Sequence, residues 1–164
     1  RLTKRPVVVL SNAPQRLGRL VLANTTSHMA DKQPWHDRIA VVRFGGLAAI
    51  ADKVMGLWFS EEFREREPDA VARIRAAFLA TPVDGYIACG EAVRDMDQRD
   101  LLARIAVPTL VVAGRYDQST PIDAAELIRR NVPGAQLTIL EAAHLSNIEQ
   151  AAAFNTEVLG FLTS

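Results

Sequence analysis

Two residues with proton-transfer chemistry stand in the last third of the sequence, Asp117 in AGRYDQSTP and His144 in EAAHLSNIE. Each follows an apolar run, Thr109–Ala113 and Leu137–Leu140, and a helical pattern over Pro121–Val132 separates the runs. Strand, helix, strand in that order predicts two parallel neighbours, and loops at the carboxyl ends of parallel strands are where ligands bind. A histidine titrates near neutral pH and can take and return a proton. A carboxylate beside it orients the ring and stabilises its cationic form. Those are two parts of a nucleophilic acyl-transfer apparatus, and the nucleophile must come from elsewhere. Each residue also has a plainer reading. Tyr116-Asp117-Gln118-Ser119 suits a loop entering a helix, with Asp bonding its own backbone. His144 read plainly is a satisfied structural histidine, although Ala142 and Ala143 before it and Ser146 and Asn147 after it predict an exposed loop.

The rest of the chain has to position this pair. Pro6 to Leu10, PVVVL, is a continuous β-branched run that predicts a strand covered on both faces, ending at the turn cluster Ser11-Asn12-Ala13-Pro14. A second strand is predicted over Arg19–Ala23, ending at Asn24-Thr25-Thr26-Ser27. Parallel neighbours need a crossover of about a dozen residues or more, and Gln15–Gly18 is too short to supply one. From Trp35 to Arg104 the periodicity is helical. Helices are predicted over Asp37–Phe44, Leu47–Phe59, from Ser60 as cap, over Asp69–Leu79, from Pro82 with Tyr86, Cys89, Ala92 and Val93 as its apolar stripe, and over Gln98–Ile105. A terminal helix over Gln150–Leu162 turns Ala153, Phe154, Val158 and Phe161 inward.

Bulk properties narrow the function classes. Nineteen basic and nineteen acidic residues among 164 give no net charge and no basic stripe, which argues against nucleic acid as a partner. No apolar run approaches the ~18 residues of a membrane helix. The basic residues before PVVVL echo a signal peptide, but that run is shorter than the apolar core such a peptide needs. The single Cys89 allows no internal disulfide and fits a reducing, cytoplasmic setting, and its Ala-rich surroundings read as inert packing. His28 and His36 have no metal-ligand spacing and read as surface positions. No metal and no cofactor is expected.

LVVAGRYDQSTP and LEAAHLSNIEQ together resemble the acid and histidine motifs of the α/β-hydrolase superfamily. Within it, RFGGLAAIADKVMGLWF, FREREPDAVARIRAAFLATPVDGY and AVRDMD resemble the helical cap of the 3-oxoadipate enol-lactonase family, enzymes of aromatic-compound degradation. LVLANT resembles the strand after that family's nucleophile helix, and VVVLSNA its early strand and oxyanion loop. The resemblance implies a partial α/β-hydrolase fold with a mostly parallel sheet, core segments 1–34 and 106–164, and a helical cap over about 35–105. It implies Asp117 and His144 as catalytic residues, backbone N–H groups at Asn12 and Ala13 as oxyanion donors, and Trp35 and Trp58, beside Phe59, as lining of a substrate pocket. The plainer readings are an Asx-type turn at Asn12 and core packing for the aromatics.

The family's nucleophile lies in G-x-S-x-G, a sharp strand-to-helix elbow. None of the six serines (Ser11, Ser27, Ser60, Ser119, Ser146, Ser164) is framed that way. Ser11 follows a strand as an elbow serine does, without the glycines. The resemblance passes straight from Asn12-Ala13 to the strand after the elbow, at the junction where the crossover is too short. A segment of the family fold is thus expected to be absent between about Asn12 and Gln15. Two functional expectations follow. In the first, this is an enol-lactonase-type hydrolase of small lactones or esters whose serine is provided by a complementing segment, so the chain alone is inactive. In the second, it is a non-catalytic truncated or engineered fragment that forms a homo-oligomer through exposed strand edges.

Overall fold

The computed structural model describes residues 16–164. The predicted strand over residues 6–10 therefore lies outside the described residues, as do Ser11, Asn12 and Ala13. From β1 (Leu20–Ala23) the chain runs through α1 (Gln33–Gly45), a 3-10 turn (Leu47–Ala49), α2 (Ala51–Trp58), α3 (Glu61–Arg66), α4 (Pro68–Leu79) and α5 (Val83–Arg94). It continues through the short α6 (Arg99–Leu102), β2 (Thr109–Gly114), α7 (Ile122–Asn131), β3 (Gln136–Leu140), the single turn α8 (Ser146–Glu149) and α9 (Ala151–Thr163). Two compact units result: a helical unit, His28–Met96, and a sheet unit made of the described residues up to Ser27 together with Asp97–Ser164.

In the sheet unit the strands lie in the order β1-β2-β3 and all pairs are parallel. Leu20 stands opposite Thr109, and Leu110 opposite Gln136. β2 is buried along its whole length, so its sequence TLVVAG is apolar at consecutive positions rather than alternating. Its side chains still divide by the two-residue period of a strand. Val111 and Ala113 join Leu20, Leu102, Ile105, Ala125, Ile128 and Val132 in one core. Leu110 and Val112 join Leu140, Ala142 and Phe161 in another, with Phe154 and Val158 at its edge. Each fully buried aliphatic side chain of this kind contributes roughly 1.5–3 kcal/mol, enough to fix which face of β2 meets α7 and which meets α9.

The helical unit is built from short amphipathic pieces. Ile39, Val42, Leu47, Val54, Met55, Phe63 and Phe78 are buried. Ser60 has extended backbone and its side chain accepts from the Phe63 N–H, the cap that starts α3. Gly46, at φ 65° and ψ −172°, ends α1 in a conformation open essentially to glycine alone, its N–H donating to the Val42 carbonyl. Trp35 packs across α5 where Gly90 leaves room: a Cβ there would lie 3.1 Å from the indole ring. Trp58 meets Phe78 edge-on at 5.5 Å between ring centres. Among the described residues no helix is long and apolar enough to cross a membrane.

Several element details differ from the expectation. The helix predicted over Leu47–Phe59 is divided because Ile50, at φ −121° and ψ −4°, leaves the helical region. The predicted Gln98–Ile105 helix is regular only over Arg99–Leu102. Gln150, at φ −124° and ψ 48°, separates α8 from α9. Cys89 and Ala153 are exposed rather than packed inward, because each sits on the side of its helix away from the residues that carry the core. His36 is exposed, whereas His28 is half-buried.

Candidate active site

The turn after β2 presents Asp117. Arg115 N–H donates to the Leu140 carbonyl at 2.8 Å and Tyr116 N–H to the Ala142 carbonyl at 2.9 Å, which stitches this turn to the segment after β3. Gly114 makes the approach possible. A Cβ at that position would lie 2.3 Å from the Ala143 carbonyl oxygen and 2.5 Å from that of Ala142, closer than any side chain tolerates. The loop carrying His144 thus crosses directly over the backbone that ends β2.

The Asp117 side chain has no exposed surface, and its two oxygens do different work. Oδ1 accepts from the Ser119 N–H at 2.8 Å and the Thr120 N–H at 2.9 Å, which is the local Asx turn. Oδ2 accepts from Thr120 Oγ1 at 2.7 Å, from Asn24 Nδ2 at 3.1 Å and from His144 Nδ1 at 2.9 Å. The turn reading and the acid–histidine pair are therefore realised together in one carboxylate. Burial pushes the Asp117 carboxyl up. The hydrogen bond and charge attraction of His144, with the donors of Thr120, outweigh that and hold it below the ordinary carboxylate value.

A carboxylate only accepts, so the proton between the two side chains belongs to His144 Nδ1. In the neutral ring Nε2 then carries the free lone pair, the tautomer a general base needs. The His144 side chain is 22% exposed. Its loop is not the exposed one that small and polar neighbours predict: Ala142, Ala143 and Ser146 are buried. The Ala143 N–H donates to the buried Glu149 Oε2 at 3.0 Å and the Ala143 carbonyl accepts from Asn24 Nδ2 at 3.3 Å. Ser146 Oγ in turn donates to Asn24 Oδ1. At the rim, Arg115 and Tyr116 both donate to Glu141, and the Arg115 guanidinium holds that carboxyl below its usual value.

Asp117 and His144 are thus brought together. Trp35 and Trp58 both lie half-buried in the helical unit. Asn12 and Ala13 lie outside the described residues. Asn24, Thr120, Glu149 and Gly114 lie inside the stretches that carry the resemblance, but sequence reasoning assigns them no role. The one available signal is that Asn24, a hydrogen-bonding residue, directly follows a strand and that Thr120 stands three residues after the acid. Among the described residues no group of three His, Cys, Asp or Glu side chains converges as a metal site.

No protein-family model matches the chain. Solved structures superpose on nearly all of it, a hydrolase and an enol-lactonase among them. A hydrolase from Pseudomonas aeruginosa PA01 has TM-score 0.90 and 42% identity, covering 96% of this chain and 60% of the other. The chain belongs to the α/β-hydrolase superfamily, and its three-stranded parallel sheet with surrounding helices is part of that fold. The particular likeness is to enol-lactonases. The enol-lactonase of Burkholderia xenovorans LB400 superposes with TM-score 0.93 at 34% identity, covering 96% of this chain and 61% of that one. The 3-oxoadipate enol-lactonase 2 of Acinetobacter baylyi is 34% identical over 145 residues, 88% of this chain and 54% of the relative. The chain spans about half the length of the curated relatives it matches.

Proposed function

We propose that these 164 residues carry the acid and histidine of a lactone- or ester-hydrolysing site of the enol-lactonase type. The supporting observation is the 2.9 Å contact between His144 Nδ1 and the fully buried Asp117 Oδ2. In the reaction His144 Nε2 removes the proton from a serine hydroxyl as the oxygen attacks the ester or lactone carbonyl. The tetrahedral oxyanion is held by backbone N–H groups at Asn12 and Ala13, a donor set worth roughly 3 kcal/mol per donor when complete. Collapse breaks the acyl C–O bond, and His144 returns the proton to the leaving oxygen. Water attacks the acyl-enzyme by the same route. Asp117 keeps the ring in the Nδ1–H tautomer and stabilises the imidazolium. The helical unit, which lies mostly within the 35–105 that the resemblance assigns to the cap, supplies Trp35 and Trp58 as lining for a small, largely apolar substrate, and the setting is the cytoplasm.

No serine in the sequence sits in G-x-S-x-G, so the nucleophile belongs to a polypeptide segment that completes this one. The absence of that motif also supports the second reading, a non-catalytic fragment that associates through strand edges. The two separate in one experiment. The chain is assayed with a p-nitrophenyl ester and a serine-reactive phosphonate, alone and with the elbow-containing remainder of an enol-lactonase. Turnover only in the mixture, abolished by His144→Ala, is the expected result. Turnover by the chain alone that survives His144→Ala defeats the proposal, and a mixture as inert as the chain alone leaves the fragment reading standing.

A further inference from the structure

We propose that Asn24 is a positioning residue for the acid–histidine pair, a role that rests on the functional reading above. Asn24 ends β1 with φ 44°, the one positive-φ residue other than glycine among the described residues. Asn is among the few side chains that adopt this left-handed region readily. The side-chain amide reaches the segments that follow both β2 and β3. There Nδ2 spans Asp117 Oδ2, at 3.1 Å, and the carbonyl of Ala143, at 3.3 Å. One amino group therefore ties the acid to the residue immediately before the histidine.

The amide cannot flip without loss. Its two partners on the amino side, a carboxylate and a carbonyl, only accept, so exchanging Oδ1 for Nδ2 would set oxygen against oxygen twice. Ser146 Oγ, itself fully buried, donates to Oδ1 and locks the orientation from the other side. Glu149 accepts from the Ala143 N–H at 3.0 Å, so both backbone polar groups of Ala143 are held by side chains. Positions 24, 117, 143 and 146 come from three separate strand ends. What Asn24 contributes is a neutral donor at Oδ2, which favours the ionised carboxylate without adding a charge that would compete for His144.

The test uses the isotopically labelled 164-residue chain and reads two NMR signals, the carboxyl carbon of Asp117 against pH and the hydrogen-bonded Nδ1 proton of His144. Asn24→Gly keeps the backbone conformation and removes the amide. Asn24→Asp keeps the shape and replaces the donor by an acceptor. Ser146→Ala leaves Asn24 in place but frees its orientation, and serves if the first two fold poorly. Expected is a rise of the Asp117 midpoint by about half a pH unit in Asn24→Gly, a larger rise in Asn24→Asp and a smaller one in Ser146→Ala. The Nδ1 proton signal weakens in the same order. Unchanged signals in folded variants, with the Nδ1 proton clear in the parent, overturn the role of Asn24. A parent lacking that signal overturns the functional reading and this role with it.

Discussion

The sheet unit and the helical unit spend their polar groups differently. Every buried polar or charged residue among those described (Ser27, Thr109, Asp117, Thr120, Ser146 and Glu149) lies in the sheet unit. In the helical unit the ion pairs Arg43–Glu91, Arg66–Glu62, Arg75–Asp52 and Arg94–Asp95 sit at or near the surface, and the interior is aliphatic and aromatic. A buried polar group is costly unless its bonds are all made. Such groups persist where they are held by one another, and the network at the ends of β1, β2 and β3 meets that condition around Asp117. Substitution is therefore expected to cost little at the surface ion pairs of the helical unit and more in the buried network around Asp117.

That contrast can be broken most sharply at Gly114. Gly114→Ala places a methyl group against two backbone carbonyls that have no room to retreat. A loss of about 3 kcal/mol or more is expected in urea unfolding, together with displacement of the His144 loop. A stable Gly114→Ala protein with an intact Asp117–His144 contact contradicts the packing described.

Asp117→Asn comes next. It leaves donors facing a half-amide and costs about 2 kcal/mol at neutral pH. The sign with pH follows from the carboxyl being held low in the folded state. Its contribution is fully present above the unfolded carboxylate pKa, about 3.9, and is lost as pH falls through the lower folded value. The stability gap between parent and Asp117→Asn should therefore narrow on acidification below about pH 4. A gap that stays constant into the acid range means Asp117 is not held below its ordinary value.

The smallest effect belongs to the helical unit. Arg75→Ala removes the exposed contact with Asp52, and a change below about 0.5 kcal/mol is expected by thermal or urea unfolding. A loss comparable to that of Asp117→Asn erases the distinction between the two units.

Much of this arrangement was legible in the residues because its causes are local. The short, β-branched run Thr109–Ala113, bounded by Pro108 and Gly114, reads as a strand covered on both faces, and Ser60 followed by two glutamates signals a helix start. The pair Asp117 and His144 was legible for a related reason. Each directly follows a strand, and parallel pairing puts both strand ends on one side of the sheet. Where the outcome depended on rotation of a helix against its neighbours, the residues misled. Cys89 and Ala153 fit an inward stripe by spacing yet face outward, because a 3.6-residue period leaves the stripe's edge undetermined until a partner covers it.

The sequence by itself determined the strands, the crossover helix between them, and the acid and histidine at their ends. Tertiary structure alone decided how those two side chains are held. Asn24 and Ser146 stand 122 residues apart, and nothing in either neighbourhood marks them as partners. Nor could spacing show that Asp117 serves its own turn with one oxygen and His144 with the other. Hydrogen bonds of this kind depend on angles and distances of a few tenths of an ångström, and those are set only when three strand ends converge over Gly114.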